Sequence, residues 1–99
     1  MPGPIELIIH ATADEFGITA TALLSRNRSA KFSHPRILAM SLARELTKLS
    51  YPAIGRAFGK HHSTIISAVD RSPELLELHP EYVAKREAVL VRLGQSEPT

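Results

Sequence analysis

Apolar positions along the chain recur at helical spacing almost from the start. Ile5, Ile8, Ile9, Ala13 and Phe16 share one face of a 3.6-residue period, which predicts a helix over 5–16 stopping before Gly17. Thr19 offers an N-cap for a short segment, Ala20 to Leu24, that ends at Ser25. The stretch from Arg26 to Phe32 is polar and basic, and predicts a loop. The longest helix is expected next, with Ser33 as N-cap and Pro35 in the first turn, where a missing N–H costs nothing. Leu38, Leu42, Leu46 and Leu49 form its apolar stripe, and Ala39 and Ala43 permit close packing beside it. Ser50 restarts the pattern as a second cap. Pro52 stands just inside the helix that follows, whose core face is Ile54, Ala57 and Phe58, and Gly59 ends it as a residue free to take positive φ. Lys60 and His61 make a turn. A helix from His62 to about Arg71 is then buried through Ile65, Ile66 and Val69 and stopped by Pro73. A last helix opens near His79–Pro80 and runs through Tyr82, Val83, Val89, Leu90 and Leu93. No alternating β-type run, internal repeat or low-complexity tract interrupts this pattern.

The expected architecture is an all-α bundle of about six helices, one domain over residues 1–93 followed by a disordered tail over 94–99. Its centre reads helix, short glycine-containing turn, helix: Pro52–Phe58, then Gly59–His61, then His62–Arg71. That is the helix-turn-helix order, in which the second helix enters the major groove. Ninety-nine residues with 43% apolar composition support a single core. The lack of cysteine excludes a disulfide framework and thiolate metal sites, and fits a reducing cytoplasm. No apolar run approaches the ~18 residues of a membrane span, and Pro2 to Ile9 is too short and uncharged for a signal peptide.

Charge changes the picture when it is split along the chain. Residues 1–25 carry −3, residues 26–62 carry +7 and residues 63–99 carry −2. The net +2 therefore conceals a concentrated basic middle, built from Arg26, Arg28, Lys31, Arg36, Arg44, Lys48, Arg56 and Lys60 against Glu45 alone. Such a segment is either a solvated face or an electrostatic footprint for a polyanion.

Two long motifs decide between these. Pro35-Arg36 … Ala39-Met40-Ser41-Leu42-Ala43-Arg44-Glu45-Leu46-Thr47 is followed by Ser50-Tyr51-Pro52-Ala53-Ile54-Gly55-Arg56-Ala57-Phe58-Gly59 and Lys60-His61-His62-Ser63-Thr64-Ile65. Together they closely resemble the C-terminal DNA-binding domain (domain IV) of DnaA, the bacterial replication initiator, whose run is similar to AMYLARELT … S…EIG…FGGRDHSTV. Leu23-Leu24-Ser25-Arg26-Asn27-Arg28-Ser29 is similar to that family's basic loop. The resemblance covers roughly Ile5 to Arg71 and implies a domain-IV-like, Trp-repressor-like helix-turn-helix.

The resemblance also implies roles. Arg28 matches the arginine that enters the minor groove of the DnaA box, with Arg26 and Lys31 beside it. His62, Ser63 and Thr64 match the start of the recognition helix, where bases and phosphates are met in the major groove. Lys60 matches the arginine of the turn, and Arg44 and Ser50 match backbone-contacting positions. Arg36, Lys48 and Pro52 complete the expected DNA-binding set. Two departures stand out. The turn is one residue shorter than the family's, and His61 replaces an aspartate. An aspartate only accepts hydrogen bonds and caps a helix well, whereas a histidine can donate to guanine N7 or O6 or to a phosphate oxygen and is expected to cap weakly. The family's ATPase domain has no counterpart in these residues: Gly55-Arg56-Ala57-Phe58-Gly59-Lys60-His61 is one residue short of a phosphate loop and has no Ser or Thr after the lysine.

An enzymatic or metal role finds little support. His61, His62 and Ser63, or a metal pair with His34, could suggest such a site, but adjacent helical residues diverge by about 100°, so His61 and His62 do not both face one metal easily, and no neighbouring carboxylate orients a ring. The expected function is sequence-specific duplex-DNA binding by a small stand-alone protein of the bacterial or phage cytoplasm and nucleoid. It would regulate replication or transcription without cofactor, metal or catalysis. Two alternatives remain: a protein-interaction module on the same scaffold, using the acidic terminal regions, or an excised DNA-binding fragment of a longer initiator.

Overall fold

The computed structural model describes residues 1–95, and six helices form within them: α1 (Pro4–Phe16), α2 (Ala20–Leu24), α3 (Ala30–Thr47), α4 (Tyr51–Phe58), α5 (His62–Leu78) and α6 (Pro80–Arg92). Several ends follow directly from local chemistry. Gly17 takes φ 69° and returns its N–H to the carbonyls of Ala13 and Asp14. The Thr19 hydroxyl accepts from the Ala22 N–H, and that of Ser50 from the Ala53 N–H at 3.2 Å. Gly59 closes α4 at φ 68°. At the far end, Gly94 and Gln95 donate back to the Val91 and Leu90 carbonyls, while residues 96–99, the bulk of the expected tail, lie outside the described residues.

Two helices differ from the sequence expectation, both at prolines. α3 begins at Ala30 rather than after Ser33. Ser29 is its N-cap, and the Ser33 N–H already donates to the Ser29 carbonyl at 2.8 Å. Pro35 therefore lies inside the helix and forfeits only one bond close to the N-terminus, while its ring is fully buried. α5 likewise runs through Pro73 to Leu78. An internal proline costs a helix about 3 kcal/mol, but Ser72 and Leu75 on either side are buried against neighbouring helices. The Tyr82 hydroxyl donates to Ser72 at 2.7 Å, Ser72 to Ser41 at 3.2 Å, and Ser41 to the Leu38 carbonyl at 2.9 Å. This chain of donors ties α6, α5 and α3 together, and the packing around it outweighs the proline.

The core gathers on α3, which packs against α1, α2, α4 and α5. Leu38, Ala39, Leu42 and Ala43 are wholly buried on it, and Leu46 partly so. Ile8, Leu23, Ile54, Ile65 and Val89 bring the other five helices to the same cluster. Four expected core residues face solvent instead. Leu49 falls in the turn after α3, Ala57 lies on the outer side of α4, and Ile66 and Val83 stand one position off the buried faces of α5 and α6. Val69 and Leu93 pack at the edge of the core.

α4 and α5 meet at an unusually bare place. A Cβ on Gly55 would lie 2.6 Å from the Lys60 carbonyl oxygen and 3.3 Å from the His62 nitrogen, and the Lys60 N–H donates to the Gly55 carbonyl at 2.8 Å. Helix propensity alone would make Gly55→Ala stabilising by about 1 kcal/mol. The contact reverses that sign: the variant is expected to lose about 2–3 kcal/mol, because the clash is with backbone and not with a side chain that can move. Urea unfolding followed by circular dichroism measures the difference.

Candidate nucleic-acid interface

The basic loop between α2 and α3 is a built structure. The Ser25 hydroxyl donates to the Ala22 carbonyl, the Asn27 N–H returns to Ser25 Oγ, and the Ser29 N–H donates to Asn27 Oδ1 at 2.9 Å. Arg36 reaches back from α3 and clamps it: Nε donates to the Leu23 carbonyl at 2.7 Å, Nη1 to the Asn27 carbonyl at 3.0 Å and Nη2 to Ser25 Oγ at 3.4 Å. Burial lowers the Arg36 pKa from its ordinary value, yet a guanidinium remains charged at any physiological pH. Arg26 and Arg28 project into solvent from the loop so held.

The turn of the helix-turn-helix comes close to this loop. The Lys60 ammonium has its pKa lowered first by partial burial and then by repulsion from Arg36 and Arg26, so three cations share one neighbourhood. His61 follows as the N-cap of α5, with extended φ and ψ. Its Nδ1 accepts from the Ser63 N–H at 3.2 Å and lies 2.8 Å from Ser63 Oγ. The ring thus caps α5 through one bond, at the long end of the N–H range. Its ring also lies 4.1 Å from that of His62, centroid to centroid. The 100° divergence expected of adjacent helical residues does not apply, because His61 precedes the helix. His62, Ser63 and Thr64 are exposed on the first turn of α5.

Between α3 and α5 runs a shallow groove edged by Ser33, Arg36, Thr64, Ser67 and Arg71. Ser67 and Arg71 are additions to the residues picked from sequence. They follow Thr64 at i+3 and i+7 on one face, a signal that was readable, but α5 was expected to finish at Arg71.

The remaining candidates are more dispersed. Arg44 donates to the Leu49 carbonyl at 2.7 Å and stacks 4.2 Å from the Tyr51 ring centroid, fastening the α3–α4 turn. Lys48 is exposed there at φ 59°, and Pro52 is exposed in the first turn of α4, next to the capping Ser50. Arg56 is exposed further along α4. Lys31 borders a different cleft, with Asp14 and Thr19 at the α1–α2 junction. His34 lies against His79 instead, ring centroids 5.1 Å apart and tilted by 52°. Among the described residues no cluster of three His, Cys, Asp or Glu side chains is arranged to hold a metal ion, and no helix is long and apolar enough to cross a membrane.

Among the described residues, ion pairing sets Arg86 and Arg92 apart from the other Lys and Arg side chains. On α6, Arg86 grips Glu45 at 2.8 and 2.9 Å, Arg92 bonds Glu15, and Lys85 donates to the Glu15 carbonyl. Arg26, Arg28, Lys31, Arg36, Arg44, Lys48, Arg56 and Lys60 form no salt bridge among the described residues. The positive potential of the loop, the turn and the start of α5 is therefore left uncompensated.

A glycine-linked helix pair, with an uncompensated cationic loop beside the first turn of its second helix, defines a helix-turn-helix module. Residues 5–71 match the family model described as the bacterial dnaA protein helix-turn-helix, and the chain belongs to that family. Its relatives include chromosomal replication initiator proteins DnaA. That of Methylobacillus flagellatus is 42% identical over 90 residues, covering 90% of this chain and 19% of the relative. That of Geotalea daltonii is 45% identical over 74 residues, 74% of this chain and 17% of the relative, and that of Neisseria meningitidis is 36% identical over 87 residues, 87% and 17%. The chain spans less than a quarter of the length of these relatives.

The Arg36 clamp makes a prediction independent of any ligand. Arg36→Lys keeps the charge but cannot reproduce three separately directed bonds. It should speed amide exchange at Asn27 and Ser29 roughly tenfold, the equivalent of about 1.4 kcal/mol of lost local protection. Unchanged exchange measured by NMR would show that the loop holds itself.

Proposed function

We propose that this chain binds duplex DNA sequence-specifically, with α5 in the major groove and the Arg26–Arg28 loop in the adjacent minor groove. The observation that carries this is the grouping of Lys60, Arg36 and Arg26 beside the exposed first turn of α5, with no carboxylate paired to them among the described residues. Phosphate contacts from the cations set register, and the side chains at the N-terminal end of α5 meet base edges. The target is a site similar to the DnaA box, and the consequence of binding is regulation of replication or transcription by occupancy in the bacterial cytoplasm.

The module has a second surface that favours a protein partner. Leu7 on α1 and Val91 on α6 are large apolar side chains left exposed, and the terminal regions carry the acidic charge.

Salt dependence tests the primary reading. Neutralising about five phosphates gives a slope of about −4 to −5 in log affinity against log salt. An affinity that does not change between low and moderate salt would exclude it. Arg28 separates readout from attraction. Arg28→Ala should cost about 1–3 kcal/mol and relax preference at one end of the site, as loss of a base-reading arginine does. A loss equal on every sequence would reduce Arg28 to a phosphate contact.

A further inference from the structure

α5 and α6 are separated by His79 alone, and the corner it makes is a one-residue hinge. Its backbone is extended, at φ −128° and ψ 96°, as the following Pro80 favours. The His79 N–H donates to the Leu75 carbonyl, and the His79 carbonyl accepts from the Tyr82 N–H, both at 2.9 Å. Against this corner stands His34, from the second turn of α3. Its ring lies 5.1 Å from that of His79 and meets that of Tyr82 edge-on at 6.3 Å, centroid to centroid. Glu81 Oε1 is 3.3 Å from His79 Nδ1. The titratable and charged groups facing His34 are thus Arg71 of α5, His79 of the hinge, and Glu81 and Tyr82 of α6. Burial first, and then the charges of His79 and Arg71, hold the His34 imidazole below its ordinary pKa, while Glu81 opposes them.

We propose that the His34–His79 contact is a pH-sensitive latch, which holds the α5–α6 corner against α3 while at most one ring is charged and releases it when both are. A single proton on the pair has a place, since on His79 it faces the Glu81 carboxylate. A second proton puts like charges on two rings 5.1 Å apart, with Arg71 as a third cation beside them. Both rings are half-buried, so water screens these charges only in part. Separating the rings relieves the repulsion, and the hinge is where the chain can yield. A folded state that holds His34 below the ordinary 6.5 binds its proton less readily than the unfolded chain does. The stability of the contact is therefore present above that pH and is lost as pH falls through it. The latch stands apart from the DNA-binding reading. His34 and Arg36, two positions apart, point about 200° from each other around α3, so the clamp on the basic loop is no part of it.

Thermal unfolding of the wild type, His34→Gln and His79→Gln, followed by circular dichroism between about pH 7.5 and 5.5, tests the latch. Glutamine keeps a polar side chain and takes no charge. The wild type should lose about 4–8 °C of Tm across this range, and His34→Gln less than half as much. His79→Gln should lose an intermediate amount, and in NMR titration its His34 midpoint should move up toward 6.5. The change with pH carries the comparison, so a variant less stable at every pH still decides it. Where a variant does not fold, the wild type decides alone. Its His34 should titrate below 6.5, with the Tyr82 ring and the amides of Leu78, His79 and Glu81 shifting at the same midpoint and those of Asn27 and Ser29 unmoved. Equal losses of Tm in the wild type and His34→Gln would overturn the proposal. So would a His34 midpoint that is the same with and without His79, which leaves burial as its only cause. A His34 titration that leaves the corner amides unmoved, or shifts spread evenly over the chain, would overturn it as well.

Discussion

The turn of the helix-turn-helix lies against the bare backbone of α4 at Gly55, and the direction of α5 follows from that contact. Any side chain at residue 55 would collide with the Lys60 carbonyl. Glycine permits the approach, and the bond from the Lys60 N–H to the Gly55 carbonyl locks it. Once Gly59 has turned the chain at positive φ, His61 has only to begin a helix, and Ile65 and Ala68 seat that helix on the core. His62, Ser63, Thr64, Ser67 and Arg71 are then among the residues α5 exposes.

Electrostatics builds on this frame without determining it. The three basic side chains of α6 are occupied by Glu45 and by the side chain and carbonyl of Glu15. The exposed ion pairs of Arg86 and Arg92 add little to stability but offset positive charge on α6, whereas Lys85, bonded to a carbonyl, keeps its charge. On the other side Arg36 spends its donors on carbonyls of the loop and keeps its charge. It thereby serves twice, fixing the path of residues 23–27 and adding to the field that Lys60 and Arg26 share.

Much of this was legible in the sequence, and the misses have common causes. Caps and glycines marked α1, α2 and α4 nearly to the residue, because those signals act locally. Pro35 and Pro73 misled, since a proline penalty is a local quantity whereas the burial of Pro35, Ser72 and Leu75 is tertiary. Placing Ile66 and Val83 in the core reflects the same limit: apolar character was visible, but the true face of the helix was set by partners distant in sequence. The cationic candidates could be picked from charge and motif. Their division of labour could not, because the bonds of Arg36 to Leu23 and of Arg44 to Leu49 depend on where backbone carbonyls end up. The ring bond that caps α5 was not readable either, because its geometry depends on where the Ser63 N–H comes to lie.

The central claim is that one side of the domain, from the Arg26–Arg28 loop through Lys60 to the first turns of α5, receives duplex DNA. Amide chemical-shift mapping by NMR during titration with a short duplex carrying a DnaA-box-like site tests it most directly. The account predicts that perturbations concentrate in residues 26–36 and 59–67 and leave the outer faces of α1 and α6 unmoved. Perturbations centred on Leu7 and Val91, or none at all at low salt, would contradict it.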